Sequence, residues 1–186
     1  MPPDPAPERR QRPHPPHPPM SDRITIRPAS AADGDTFLAL VDALADYEKL
    51  DRPTPEARAR LLADAFGERQ RISVFLGERD GTAVAYAIVL ETYSSFLALP
   101  TLYLEDLFVV PDARRGGMGR AFFKALAAEA VRRGCGRMEW VVLDWNQLAI
   151  DFYEGLGARH MREWYTYRLT ADELTGIAAP EGIGHA

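Results

Sequence analysis

From Arg23 onward the apolar positions fall into segments of two periods, and each change of period marks an element. Ile24-Thr-Ile-Arg27 predicts a short strand that breaks at Pro28-Ala-Ser30. Phe37, Leu40, Val41, Leu44 and Tyr47 follow at helical spacing, and a second helix begins after Pro55, carries Leu61, Leu62, Ala65 and Phe66, and stops at Gly67. Ile72 to Leu76 and Ala83 to Leu90 predict two strands joined through Asp80-Gly81, a strong hairpin signal. Leu102 to Val110 predicts a fourth strand, ended by Pro111. Met118, Phe122, Leu126 and Ala130 then define a long amphipathic helix, with Arg132 and Arg133 at its electronegative end and Gly134 beyond it. Glu139 to Leu143 predicts a fifth strand, Gln147 to Leu156 a short helix, and Arg159 to Leu169 a final pair of strands. Strands at both ends with helices between them predict an α/β fold: a central, twisted, mixed sheet with helices on both faces.

Composition narrows the setting. The chain has 186 residues, 46% of them hydrophobic, enough for one sizeable core rather than two. We expect one domain over residues 21–172, after a disordered Pro- and His-rich tail over residues 1–20 and before a flexible tail over residues 173–186. His14 and His17 lack further ligands for a metal, so no metal site is expected, and Met20 stands where a physiological start would fit. The net charge is −5, and the first twenty residues sum to +1, so the body is acidic. An acidic body disfavours nucleic acid as a partner. The single cysteine, Cys135, excludes an internal disulfide framework. No apolar run approaches the ~18 residues of a membrane span, and no signal-peptide pattern opens the chain, so a cytoplasmic location is expected.

The first candidate for chemistry is Arg114-Arg-Gly-Gly-Met-Gly-Arg120, between a strand and the start of an amphipathic helix. Glycines there let backbone N–H groups converge on an anion, and the helix dipole adds positive potential. Arg114, Arg115 and Arg120 supply countercharge. The segment lacks the Lys-Ser/Thr ending of a P-loop and the Gly-x-Gly-x-x-Gly spacing of dinucleotide binders.

Arg-x-x-Gly-x-Gly, formed by Arg114, Gly117 and Gly119 after a strand ending in Val-Pro, resembles the acetyl-CoA motif of the GNAT N-acetyltransferase superfamily. Ile26-Arg-Pro-Ala-Ser-Ala-Ala-Asp33, Leu102-Tyr-Leu-Glu-Asp-Leu-Phe-Val109, and Trp145-Asn146 followed by Asp151-Phe-Tyr153 and Gly157-Ala158 resemble its spermidine/spermine (diamine) N-acetyltransferase branch. The resemblance spans residues 23 to 170. It implies the GNAT fold, acetyl-CoA as co-substrate and a homodimer. It also implies that the backbone of Leu107, Phe108 and Val109 pairs with the pantetheine arm, while Arg114, Arg115, Gly116, Gly117, Met118, Gly119 and Arg120 take the pyrophosphate. Asn146 would face the cofactor, and its residue type also suits an N-cap.

Glu105 and Asp106 interrupt an otherwise apolar strand. Adjacent strand residues point to opposite faces, so one of the two acids must meet a core or cleft. An alkyl ammonium, with a pKa near ~10.4, cannot attack a thioester until it loses a proton. A carboxylate can hold that cation and accept its proton, directly or through water. Glu105 is the candidate acceptor, and Asp106 helps to hold the cation.

The resemblance makes Tyr153 the general acid. A CoA thiolate resembles a cysteine thiolate of pKa ~8.5 and an ordinary phenol has pKa ~10, so the transfer is uphill by ~2 kcal/mol. The resemblance further implies substrate contacts from Tyr47 and Glu48 and from Glu163 and Trp164. Tyr93 to Pro100 carries no acid, which keeps lysine-like thioethers and amino-acid amines open beside polyamines. His160 is the one histidine of the body, leaving little material for a His-based mechanism. Two other functions remain open at this level: a protein or peptide N-acetyltransferase, and an acyl-CoA-binding module without chemistry.

Overall fold

The computed structural model describes residues 23–179. His14, His17 and Met20, with the rest of the N-terminal tail, and everything after residue 179 lie outside the described residues. The chain forms two compact units, Met1–Val141 and Val142–Ala186.

The first unit is built on β1 (Ile24–Pro28), β2 (Ser73–Arg79), β3 (Thr82–Ser94), β4 (Leu99–Val109) and β5 (Arg137–Glu139). They lie side by side in chain order, the first three pairings antiparallel and β4–β5 parallel. Helices α1 (Gly34–Glu48), α2 (Pro55–Phe66) and α3 (Met118–Arg132) complete the unit. The Asp80-Gly81 hairpin forms as its sequence predicts: both residues are left-handed, with φ of 51° and 81°, the geometry of a type I′ turn whose twist matches that of the flanking strands. Thr54 caps α2 from the side chain with Pro55 at the first helical position, and Gly134, φ 71°, follows α3.

The period of two in β2 separates two cores. Val74 and Leu76 face α1 and α2, packing with Phe37, Leu40, Ala65, Tyr86, Ile88 and Phe108. Gly77 faces the other way, onto α3, where an added Cβ would come within 2.5 Å of the Phe122 ring and 2.8 Å of Met118 Sδ. Helices therefore cover both faces of the sheet. Phe122 is fully buried and Met118 nearly so, so neither can withdraw. Gly77→Ala is expected to destabilise the fold by about 1–3 kcal/mol through overpacking, measured as the shift in urea midpoint at constant m-value; an unchanged midpoint would show that α3 is free to move off the sheet.

Two strand expectations are corrected. The fifth strand was expected over Glu139 to Leu143 but pairs only at Arg137–Glu139, and Val141, Val142 and Leu143 are exposed. Arg159 to Leu169 forms no strand; Trp164, Tyr165 and Tyr167 are strand-forming residues without a paired edge, and all three are exposed. β-propensity expresses itself only through cross-strand packing. The second unit contains α4 (Gln147–Gly155) and α5 (Ala171–Ala178). Thr170 and Glu173 form a capping box at α5, so the segment expected to be a tail from residue 173 begins inside a helix.

Candidate active site

The glycine-rich segment joins β4 to α3 and has an unusual backbone. Arg115 is left-handed at φ 65° and Gly117 at φ 84°; the first conformation costs a non-glycine residue about 1 kcal/mol or more. Gly117 occupies the N-cap of α3, and no side chain caps that end. The first intrahelical donor at this end is the Ala121 N–H, which reaches Gly117 O at 3.0 Å. The N–H groups of Met118, Gly119 and Arg120 are thus left for an outside acceptor, at the electropositive end of a 15-residue helix with no acidic residue in its first turn. Arg115, Gly116, Gly117 and Arg120 are exposed. This end of the helix suits a diphosphate.

Arg114 is turned the other way. Its Nε donates to Val109 O at 2.9 Å, and its guanidinium stacks over the Tyr47 ring, 4.2 Å from the centroid. Tyr47 in turn packs against Phe108. The C-terminal end of α1, carrying Tyr47 and Glu48, is therefore tied to the end of β4.

β4 offers a second kind of recognition. β5 pairs with it only at Thr101, Leu102 and Tyr103, so among the described residues no strand covers residues 104–109 on that side. The Val110 N–H bonds to Val84 O on β3, and the antiparallel register pairs Phe108 with Tyr86 and Asp106 with Ile88. Bonding alternates along such a ladder, so Leu107 and Val109 turn their N–H and C=O groups to the uncovered edge, where Val109 O already accepts from Arg114 Nε. An extended chain of amides can add there like a strand.

The acid pair sits at a bulge. Ile88 opposes Asp106 and Val89 opposes Leu104, leaving Glu105 without a partner on β3. The two acids consequently have different surroundings: Glu105 is exposed and Asp106 half-buried. Asp106 Oδ2 accepts a hydrogen bond from Tyr86 Oη at 3.3 Å. Burial, followed by the charge of Glu105, pushes the Asp106 carboxyl up to about 6, with the Tyr86 bond opposing and Glu48 adding to the rise. Burial and the Asp106 charge likewise hold the Tyr86 phenol far above its ordinary range. Tyr86 escaped the sequence reading because its β3 segment reads as uniform core; its one signal was a polar tip among alanines and valines, since a buried phenol needs a partner.

Asn146, Tyr153, Glu163 and Trp164 belong to the second unit. Asn146 caps α4, its Oδ1 accepting from the Ala149 N–H at 3.3 Å. Tyr153 lies one residue beyond Phe152 on α4, ring centroids 5.5 Å apart, and burial raises its phenol pKa. Glu163 and Trp164 are exposed.

Two open hollows in the first unit, of about 390 and 380 Å³, are lined by residues such as Gly34, Leu62 and Phe66, and Ser73, Phe75 and Glu129. Neither gathers the candidate residues, which instead follow an edge and a helix end. Among the described residues no cluster of His, Cys, Asp or Glu could hold a metal, and no helix is long and apolar enough to cross a membrane.

Comparison with known proteins identifies the family. The model of the acetyltransferase (GNAT) family matches residues 37–158. A thialysine N-epsilon-acetyltransferase of Sus scrofa is 32% identical over 166 residues, covering 83% of this chain and 97% of the relative. An L-ornithine N5-acetyltransferase of Arabidopsis thaliana is 43% identical over 154 residues, covering 82% of this chain and 59% of that protein. In structure, an integron cassette protein of V. cholerae aligns with a TM-score of 0.72 at 23% identity, covering 83% of this chain and 97% of that one, a likeness of fold. An anion-ready helix end, an open strand edge and relatives of nearly full length lead to one family: the chain belongs to the GNAT acetyltransferases, in their spermidine/spermine-like branch, and is an acetyl-CoA-dependent N-acetyltransferase.

Proposed function

We propose that the protein moves the acetyl group of acetyl-CoA directly to the primary amine of a small cationic acceptor, either a polyamine or diamine or the side-chain amine of a lysine-like thioether or an amino acid. The observation that carries the acceptor class is the acid pair at the β4 bulge, a half-buried Asp106 beside an exposed Glu105, which precedes the open edge at Leu107 and Val109. The relatives' substrates, thialysine and ornithine by their names, are of that chemistry.

Acetyl-CoA supplies the activated thioester. The loop from Arg115 to Arg120 and the uncapped α3 end hold its diphosphate, Arg114 braces that loop against β4 and Tyr47, the edge of Leu107 to Val109 aligns the amide arm, and Asn146 faces it. Asp106 holds the acceptor's ammonium, with Tyr47, Glu48, Glu163 and Trp164 forming further contacts. Glu105, exposed to water at the bulge, receives the proton that frees the amine lone pair. Tyr153 protonates the departing thiolate. The working form is a cytoplasmic homodimer.

The deciding experiment is a free-thiol assay with acetyl-CoA and a panel of thialysine, L-ornithine, L-lysine, putrescine, spermidine and a short peptide. Acceptor-dependent thiol release with at least one small amine is expected, and release with the peptide alone would replace this reading by a peptide acetyltransferase. A chain that bound acyl-CoA without chemistry would release thiol with none of them.

A further inference from the structure

We infer that Arg79 is a positioning residue for the diphosphate loop, holding residues 113–117 from beneath in the shape that opens the α3 N-terminus to an anion. This rests on the reading of residues 115–120 as the diphosphate site of acetyl-CoA.

Arg79 is the last residue of β2, immediately before the type I′ turn, and it lies far in sequence from the loop it touches. Its Nη2 donates to Ala113 O at 3.0 Å, fixing the carbonyl just ahead of the loop. A Cβ built on Gly116 would stand 2.2 Å from the same Nη2 and 3.1 Å from Cζ, so the guanidinium lies flush against the Gly116 backbone. Gly116 is glycine for this contact, whereas Gly117 is glycine for its positive φ. The loop also holds Arg115 in a left-handed conformation, which persists only where the surroundings over-determine it. The Ala113 bond and the packing under Gly116 provide such a constraint.

The charge of Arg79 has a second consequence. Its Nε is buried without a hydrogen-bond partner, and among the described residues no carboxylate forms an ion pair with it. An uncompensated guanidinium beneath a loop whose free N–H groups point outward adds positive potential to the place where an anion would bind. Arg79 was missed in the sequence because it reads as the polar end of a hairpin strand, and only the β-sheet brings that end under the β4–α3 connection.

The test separates the diphosphate from the rest of the donor. Acetyl-pantetheine has the thioester and the amide arm but no diphosphate. In Arg79→Met the Kd for CoA by calorimetry should rise by about tenfold, the size of one charge-assisted contact, and kcat/KM for acetyl-CoA should fall in step, while kcat/KM for acetyl-pantetheine stays within about twofold of the wild type. Arg79→Lys, which keeps the charge, should recover part of the loss. Arg79→Gln, which removes the charge and keeps an amide donor for Ala113 O, should weaken CoA and spare acetyl-pantetheine in the same way even if Arg79→Met fails to fold. Equal losses with both donors, or an unchanged Kd for CoA, would overturn the inference. Wild-type protein that binds CoA but turns over no donor would sink the proposed activity and leave the Kd comparison to decide the role of Arg79; wild-type protein that does not bind CoA would sink both.

Discussion

Replacing Tyr153 with Phe is expected to lower kcat by about 10²–10⁴-fold, the usual worth of a positioned general acid, while the Kd for acetyl-CoA stays within about twofold. The energetics set the size of this effect. An ordinary phenol is already a weaker acid than a thiol by about 1.5 units, and burial raises the Tyr153 pKa further. A shifted pKa therefore widens the deficit instead of covering it, and the proposed general-acid role of Tyr153 rests on its being positioned and protonated. A raised pKa also keeps the phenol protonated to higher pH, so the alkaline fall of kcat should lie above pH ~10. Phe retains the ring that packs beside Phe152, so the fold should be kept. A kcat within threefold of the wild type would remove Tyr153 as the acid, and a large fall in melting temperature would assign it to packing.

The second large effect concerns Asp106, where function and stability should move in opposite directions. Burial and the neighbouring Glu105 raise its carboxyl to about 6 in the folded chain, against about 3.9 when unfolded. The folded state therefore binds this proton more tightly, and its stabilising influence is complete below pH ~3.9 and lost as pH rises through about 6. Above that pH the fold carries a half-buried charge that costs up to about 2–3 kcal/mol. Asp106→Asn removes the charge and keeps an oxygen for the Tyr86 hydroxyl, so it should raise stability by about 1–3 kcal/mol at pH 8 and by almost nothing near pH 4. The same substitution should weaken the amine acceptor by about tenfold or more in KM, the loss of a charge-assisted contact, and abolish an acidic limb near pH 6 in kcat/KM. Chemical denaturation at the two pH values, together with the acceptor KM, checks both halves. A variant less stable at pH 8 would show that the charge is compensated in a way the surrounding Tyr86, Glu105 and Glu48 do not account for; an unchanged acceptor KM would remove Asp106 from the acceptor site.

Much of this protein is local, and local features were legible in the sequence. The Asp80-Gly81 turn, the Thr54-Pro55 start of α2, the stripe of α3 ending before Gly134 and the Asn146 cap each depend on a few consecutive residues whose φ preferences and donors are properties of the residues themselves. The Gly-rich approach to α3 belongs with them, with its left-handed Gly117 and no side-chain cap.

Tertiary structure decided what depends on register and on neighbours distant in sequence. Alternation along β4 puts the two acids on opposite faces; pairing with β3 leaves Glu105 exposed at the bulge and turns Asp106 toward Tyr86. Pairing also cut β5 to three residues and left the aromatic stretch from 159 to 169 without a strand, since hydrophobic pattern specifies a strand only where an edge exists to receive it. Tyr86 under Asp106 and Arg79 under Gly116 arise from strand ends and faces brought together by the sheet, separations of 20 and 34 residues for their hydrogen bonds. The sequence by itself determined the helices, the hairpin turn and the glycine-rich entry to α3, because those follow from each residue's own backbone preferences. Which carboxylate is half-buried and what supports the loop were decided by the packing of β2, β3 and β4, because burial and positioning are properties of neighbours.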